Sequence, residues 1–288
     1  MDFDAAPASN YPLPDLVKFL NHGFENYLVP IQFNTDTFLN MLRKDGIDLT
    51  ASRVLIVNDQ QSTICLANRV DQPCGIALIA RRGWASRLAA MGVAKEIRGK
   101  GAGSWFMDEL ISEAHLRGDR EMVLEVIEQN EPAVKLYRKS GFETSRRLIG
   151  FTRRGKDTEK SERSELQEID LREMGQLVSQ HGLSDLPWQL SGESIAQMTP
   201  PARAYCKGQA YVVVSNPDAE HVVIWSLLVE QGGRGNGLGT DLLKDVIANH
   251  AGKRWHAPAI FPEEFGKVFE RAGFEREELS QWQMRLVL

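Results

Sequence analysis

Cysteine is scarce in this chain: Cys65, Cys74 and Cys206 are the three among 288 residues, with no C-x-x-C pair and no metal-ligand spacing. That scarcity argues against a disulfide framework and against a zinc site, and it fits a reducing compartment. Long apolar runs are also lacking. The longest, "CGIALIA" from Cys74 and "VVIWSLLV" from Val222, fall well short of the roughly 20 residues a membrane-spanning helix needs. Nor is there an excess of positive charge. Lys and Arg number 34 against 39 Asp and Glu, a net charge of -5, so neither nucleic acid nor an anionic membrane is expected as the main partner. A cationic substrate is mildly favoured. The opening stretch "MDFDAAPASNYPLP" has no apolar signal core, and the expected location is the cytoplasm.

What is present is the make-up of a globular protein, 42% hydrophobic and 25% charged. At roughly 150 residues per domain, the length suggests two domains. Between Thr152 and Glu165 the chain reads "TRRGKDTEKSERSE", with no large apolar side chain to bury. This is expected to be a polar linker, 152–165, dividing a domain at 1–151 from one at 166–288. The same series of features stands on either side: an apolar strand-like run, a glycine loop, an amphipathic helix, a short strand, a short helix, then Gly-Phe. The loops "RGKGAG" and "RGNGLG" begin at Arg98 and Arg234, and "YRKSGF" and "FERAGF" place the later glycines at Gly141 and Gly273. Such self-similarity is the mark of an internal repeat.

In the first half, Leu16, Leu20, Phe24 and Tyr27 recur at helical spacing, while "RVLIVND", "TICLANR" and "CGIALIARR" read as strands. The sheet is expected to begin after two helices. "LAAMGVAKEI" leads as a strand into the glycine loop. Phe106, Met107, Leu110, Ile111 and Ala114 mark one face of the following helix, which should end near Gly118. "MVLEVIE" is a further strand, and Pro132 and Gly141 bracket the short helix "EPAVKLYRKS". The class is mixed α/β.

A strand, a glycine loop and a helix N-terminus form an anion site, because the first-turn amides are unpaired and glycine lets a phosphate approach the backbone. A Walker loop does not fit, since Gly99-Lys100 is followed by Gly101 and position 94 is Ala94. A dinucleotide fingerprint fails at Ser104 or, counted from Gly101, at Phe106. What stands here is R-x-x-G-x-G, followed by a strand, Asn130, Tyr137 seven residues later, and Gly141-Phe142. From Met91 to Phe142 this resembles, element by element, the GNAT superfamily of acyl-CoA-dependent N-acetyltransferases.

That resemblance implies two tandem GNAT folds, each a mixed, splayed β-sheet flanked by helices, with acetyl-CoA as acyl donor and an amine of unknown size as acceptor. It places the coenzyme against Val93, Arg98, Gly99, Lys100, Gly101, Ala102, Gly103, Ser104 and Asn130, with an amide near Val93 for the oxyanion and Arg98 on the coenzyme phosphates. The transfer needs a nucleophile without its proton, oxyanion donors, and a proton for the leaving thiolate. Tyr137 is the expected general acid, because a phenol of pKa about 10 is still protonated at neutral pH. Asn130 equally suits an N-cap, and both roles can hold. The strand period puts Glu125 between Val123 and Ile127, and "LEV" before Asn130 and Tyr137 resembles the ribosomal-protein alanine acetyltransferases, where a Glu at this place is the base. The residues leave open whether Glu125 is the base or a solvent-facing side chain; Glu96 and Glu128 are rivals. His22 and His115 show no partner pattern. Phe24, Tyr27 and Phe33 are candidates to line an acceptor groove or to fill the core.

Alignment on Gly-Phe sets Phe269, Pro262 and Ala257 in the second copy at the places of Tyr137, Asn130 and Glu125. That copy is expected to be non-catalytic although its glycine loop, Arg234 to Gly239, persists. An acyl-CoA-binding sensor without turnover is the alternative reading of the whole chain.

Overall fold

The computed structural model describes residues 1–57, 72–155 and 166–288. The expected strand "TICLANR", Cys65 and most of the expected linker lie outside the described residues. Two compact units emerge, and their membership departs from the sequence partition. The first comprises Met1–Ser145 together with Gln283–Leu288; the second is Arg146–Trp282.

In the first unit, β1 (Phe3–Pro7) precedes the helices α1 (Leu13–Gly23) and α2 (Thr35–Asp45), and β2 (Arg53–Val57), β3 (Gln72–Arg82) and β4 (Ala85–Val93) follow. Then come α3 (Ala102–Arg117), β5 (Glu121–Ile127), α4 (Glu131–Lys139) and the first residues of β6 (Glu143–Arg154). The early strand β1 corrects the expectation that the sheet starts after two helices. Its small and acidic residues carry no alternation, yet it pairs antiparallel with β2 from Phe3 opposite Val57 to Pro7 opposite Arg53. Each of β2, β3 and β4 is antiparallel to its neighbour, and β5 joins parallel to β4. Beyond β5 lies the end of the last strand, β12.

Leu16, Leu20, Phe38, Val54, Ile76 and Leu78 are fully buried under α1 and α2. Burial of a side chain of this size stabilises by roughly 1.5–3 kcal/mol. Phe24 caps α1, and Tyr27 stands beyond the helix end. The chain from Phe24 to Phe33 is anchored by Asn21, whose amide group both donates to the Phe33 carbonyl (2.9 Å) and accepts from its N–H (2.8 Å). α1 meets β4 backbone to backbone. A Cβ built on Gly23 would lie 2.8 Å from the Gly92 carbonyl carbon, so both positions are restricted to glycine by contact.

The second unit carries β7 (Gln167–Ile169), α5 (Leu171–His181), α6 (Gly192–Ala196), β8 (Arg203–Lys207), β9 (Ala210–Val214) and β10 (His221–Val229). α7 (Leu238–Asn249), β11 (Arg254–Pro262), α8 (Gly266–Arg271) and β12 (Glu275–Val287) complete it. β7 to β10 are antiparallel and β11 is parallel to β10. Next to β11 comes β6, antiparallel from Arg254 opposite Arg154 to Pro262 opposite Leu148.

Thus residues expected to close the first domain, and the first three of the expected linker, form a ladder in the second unit. The reason is apolar: Phe151 is fully buried there, stacked on Phe269 at 4.7 Å. Conversely, Met284 is fully buried, and Leu286 lies against Gly141 in the first unit.

Candidate active site

The strands β4 and β5 are paired for four register positions, Ala85 with Glu121 to Leu88 with Leu124, and the pairing then stops. Just there β4 carries a register shift against β3: Ile79 faces Leu88 and Leu78 faces Ala90, leaving Ala89 as the bulge. A bulge bends its strand and raises its twist. β4 runs on to Val93 opposite Gly75, and β5 runs on to Ile127, so a slot opens between them.

β4 leads through a short turn of helix, Lys95–Ile97, into the glycine loop. Gly99 and Gly101 have φ of 74° and 88°, and a Cβ at either would meet nothing within 4 Å. They are glycines for their backbone angles. Gly103 instead allows α3 to approach Leu136. Gly101 caps α3 with no side-chain bond to the first-turn amides, and no acidic residue stands in that turn. The amides of Ala102, Gly103 and Ser104 therefore keep the positive end of the helix open to an anion. Lys100 is exposed beside them.

Arg98 has another employment. Its Nε donates to the Val93 carbonyl (2.8 Å), and its Nη2 donates to the carbonyls of Gly23 (2.9 Å) and Glu25 (3.2 Å). The side chain expected on phosphate ties the loop to the end of α1.

Tyr137 lies on the inner face of α4, 8% exposed and edge-on to Phe142 at 6.0 Å. Burial, aided by the neighbouring Tyr27, holds its phenol well above the usual phenol range. Asn130 caps α4, accepting from the Ala133 N–H at 3.4 Å, and its side chain also hydrogen-bonds Tyr27. Burial raises the Tyr27 phenol, and that bond opposes the rise. Tyr27, from the chain beyond α1, is thereby assembled with Asn130 and Tyr137, the cap and the inner face of α4. Tyr27 carried a periodic signal in the sequence, but nothing there pointed to Asn130.

Glu125 is drawn elsewhere. Its Oε2 accepts from Arg87 Nε at 2.7 Å, with both side chains almost fully buried, and Arg87 Nη1 lies 3.5 Å from Asp45. Burial works to lower the Arg87 pKa, yet the charges of Glu125 and Asp45 prevail and raise it. A signal existed in the sequence: Arg87 interrupts an apolar strand. His22 also departs from its expected isolation. Its Nδ1 is 3.0 Å from Glu25 and its Nε2 is 3.5 Å from Glu96, while Lys95 reaches Glu25 at 3.3 Å. Hydrogen bonds from His22 and Lys95 lower the Glu25 pKa.

The second unit repeats this construction. β10 and β11 pair parallel from His221 with Arg254 to Val223 with His256, and β10 bulges at Trp225. Gly235 and Gly237 both have φ of 82°. Arg234 donates to the Val229 carbonyl (3.1 Å) and to His181 at the end of α5, as Arg98 does to Val93 and Gly23. Besides Pro262 and Ala257 at the places of Asn130 and Glu125, two further side chains differ. Asn236 stands where Lys100 does, and Phe269, 1% exposed, packs among Phe151, Phe261 and Phe274. Tyr211 donates to Glu230 at 2.5 Å, and that bond, ahead of burial, raises its phenol to about 12.

Residues 32–142, a stretch within the first unit, match the sequence model of the Acetyltransferase (GNAT) family. No curated protein matches the chain. Among solved structures, a GCN5-related N-acetyltransferase from Sphaerobacter thermophilus superposes with a TM-score of 0.66 at 14% identity, covering 99% of this chain and 95% of that one. A putative acetyltransferase from Pyrococcus horikoshii gives 0.64 at 14% identity over 100% and 89%. A tandem GNAT protein from the clavulanic acid biosynthesis pathway gives 0.61 at 14% identity over 99% and 98%. At that identity these likenesses establish the fold. The chain has two tandem GNAT folds, and its first unit carries the acetyltransferase family's sequence pattern. Among the described residues no helix is long and apolar enough to cross a membrane.

Proposed function

We propose that the first unit is an N-acetyltransferase that moves the acetyl group of acetyl-CoA to an amine by direct attack. The observation that carries this is that β4 and β5 stop pairing after Leu88 and Leu124, with β4 leading into an uncapped, glycine-lined helix N-terminus. Thioester and pantetheine lie along β4 in this reading, with the Val93 amide on the developing oxyanion and Asn130 on the arm. The pyrophosphate takes the amides of Gly99 to Ser104, with Lys100 as its cation. The neutral amine attacks the thioester carbonyl, the C–S bond breaks as the tetrahedral species collapses, Tyr137 gives its proton to the thiolate, and the proton shed by the attacking nitrogen returns through water to the Tyr137 phenolate. Because burial keeps this phenol protonated, the acid does not fail on the alkaline side below the usual phenol value of 10.0.

Glu125 enters as a positioning residue. Were it to accept a proton, Arg87 would be left buried with Asp45 at 3.5 Å for counter-charge, a costly arrangement. We assign it to holding β4 and β5 where they part, and the amine loses its proton to water before binding. In the second unit Phe269 has the ring of Tyr137 without its hydroxyl, and we read that unit as non-catalytic.

The test is calorimetric titration of acetyl-CoA, followed by an amine screen with detection of free thiol. Tyr137→Phe is expected to keep the affinity for acetyl-CoA and to lower kcat by roughly 100-fold or more, the usual contribution of a general acid. Absence of acetyl-CoA binding to the intact chain would overturn the proposal. Unaltered turnover in Tyr137→Phe would remove the acid assignment alone.

A further inference from the structure

A second cluster stands at the paired end of β4 and β5, away from the slot. Arg82, Trp84, Ala85, Arg120, Glu121 and Arg285, all in the first unit, line an open cavity of about 330 Å³. Trp84 sits at the β3–β4 turn, 63% exposed. The Arg120 guanidinium lies on its ring, 3.4 Å from the centroid, and has no carboxylate within ion-pair distance among the described residues. Stacking of this kind fixes the plane of the guanidinium and leaves its N–H edge for a ligand.

The backbone around the pair is tied on both sides. The Arg120 N–H donates to the Trp84 carbonyl at 2.7 Å, and the Leu288 N–H donates to the Arg120 carbonyl at 3.0 Å. Arg285 reaches Glu121 at 2.6 Å, but with side chains 56% and 31% exposed this pair is open to exchange for a better acceptor. Arg120 and Arg285 bring two guanidinium groups beside the single carboxylate of Glu121, on a chain of net charge -5. Guanidinium forks match planar or tetrahedral oxyanions through paired N–H bonds, and the indole supplies an apolar wall beside them.

We propose that this cavity binds a small oxyanion, a carboxylate- or phosphate-bearing metabolite, at a site separate from acetyl transfer. Eight residue steps along β4 lead from Ala85 to Val93, about 26 Å of strand, so the two sites do not share a ligand. The inference rests on the cavity and not on the acetyltransferase reading.

The experiment is titration of the full chain with inorganic phosphate and, separately, with citrate, at ionic strength held constant with NaCl. Binding is read as the tryptophan fluorescence change that Trp84→Phe abolishes. A saturable change is expected, with half-saturation about tenfold higher in Arg120→Gln and intermediate in Arg120→Lys. The anion that saturates at lower concentration identifies the oxyanion class. A response that does not saturate for either anion, or one that Arg120→Gln leaves unmoved, overturns the proposal. Arg120 is exposed, so its replacement does not threaten the fold.

Discussion

Two basic side chains of the glycine loop divide its work. Arg98 spends its donors on three backbone carbonyls, and Arg234 repeats the arrangement in the second unit, which marks this arginine as a brace. Lys100 projects freely beside the anion cradle. Lys100→Ala is therefore expected to weaken acetyl-CoA binding by roughly three- to tenfold, the value of one charge-assisted contact near solvent, with the melting temperature unchanged. Arg98→Gln is expected to lower the melting temperature by several degrees. Calorimetric titration and thermal melting of both variants check this; an Arg98→Gln protein that melts like the parent would contradict it. The turn at Gly99 and Gly101 and the cap at Asn130 were legible in the sequence, because positive φ and helix capping are local properties. The carbonyl contacts of Arg98, the carboxylates around His22 and the hold of Arg87 on Glu125 were not. Apart from Glu25 beside His22 and Val93 beside Arg98, the partners lie tens of residues away and are brought close by packing of whole elements.

At the level of elements, the slot depends on how α1 seats on β4. Gly23 and Gly92 allow backbone contact there, just where β4 leaves β5 and just before the brace of Arg98. A methyl at Gly92 would stand 2.9 Å from Gly23 and push the helix away. Gly92→Ala is expected to cost about 1–3 kcal/mol in denaturant unfolding, the usual range for overpacking. Because both residues form one contact, Gly23→Ala with Gly92→Ala should cost less than the two single changes together. Strict additivity would show that the contact is not shared. Apolar runs, helical spacing and the Pro132–Gly141 bracket revealed β2 to β5, α1, α3 and α4, several of which have a clear apolar face. β1 escaped notice because "FDAAP" has no such face and gains its place from the edge of β2.

On the scale of the whole molecule, the repeat was legible and the membership of its units was not. Gly-Phe and glycine-loop spacings report two copies, but they carry no trace of which sheet a closing strand joins. Here residues 146–154 build the second unit and Gln283–Leu288 build the first. A chain cut after Phe151 keeps the slot, the loop and Tyr137, yet lacks Met284 and Leu286. It is expected to unfold at lower denaturant concentration and with a smaller slope than the first unit of the full chain. Appending residues 275–288 after a flexible linker should restore both. Equal unfolding of the cut and full chains would show that the final residues contribute nothing to the first unit.

The same exchange sets a timetable for the newborn chain. Domains commonly fold in the order in which the ribosome delivers them. Here the second unit has all its residues once Trp282 has been made, whereas the first must wait for Leu288. The half that is synthesised first is finished last, and until then β5 offers an unsatisfied edge to whatever the cell places beside it.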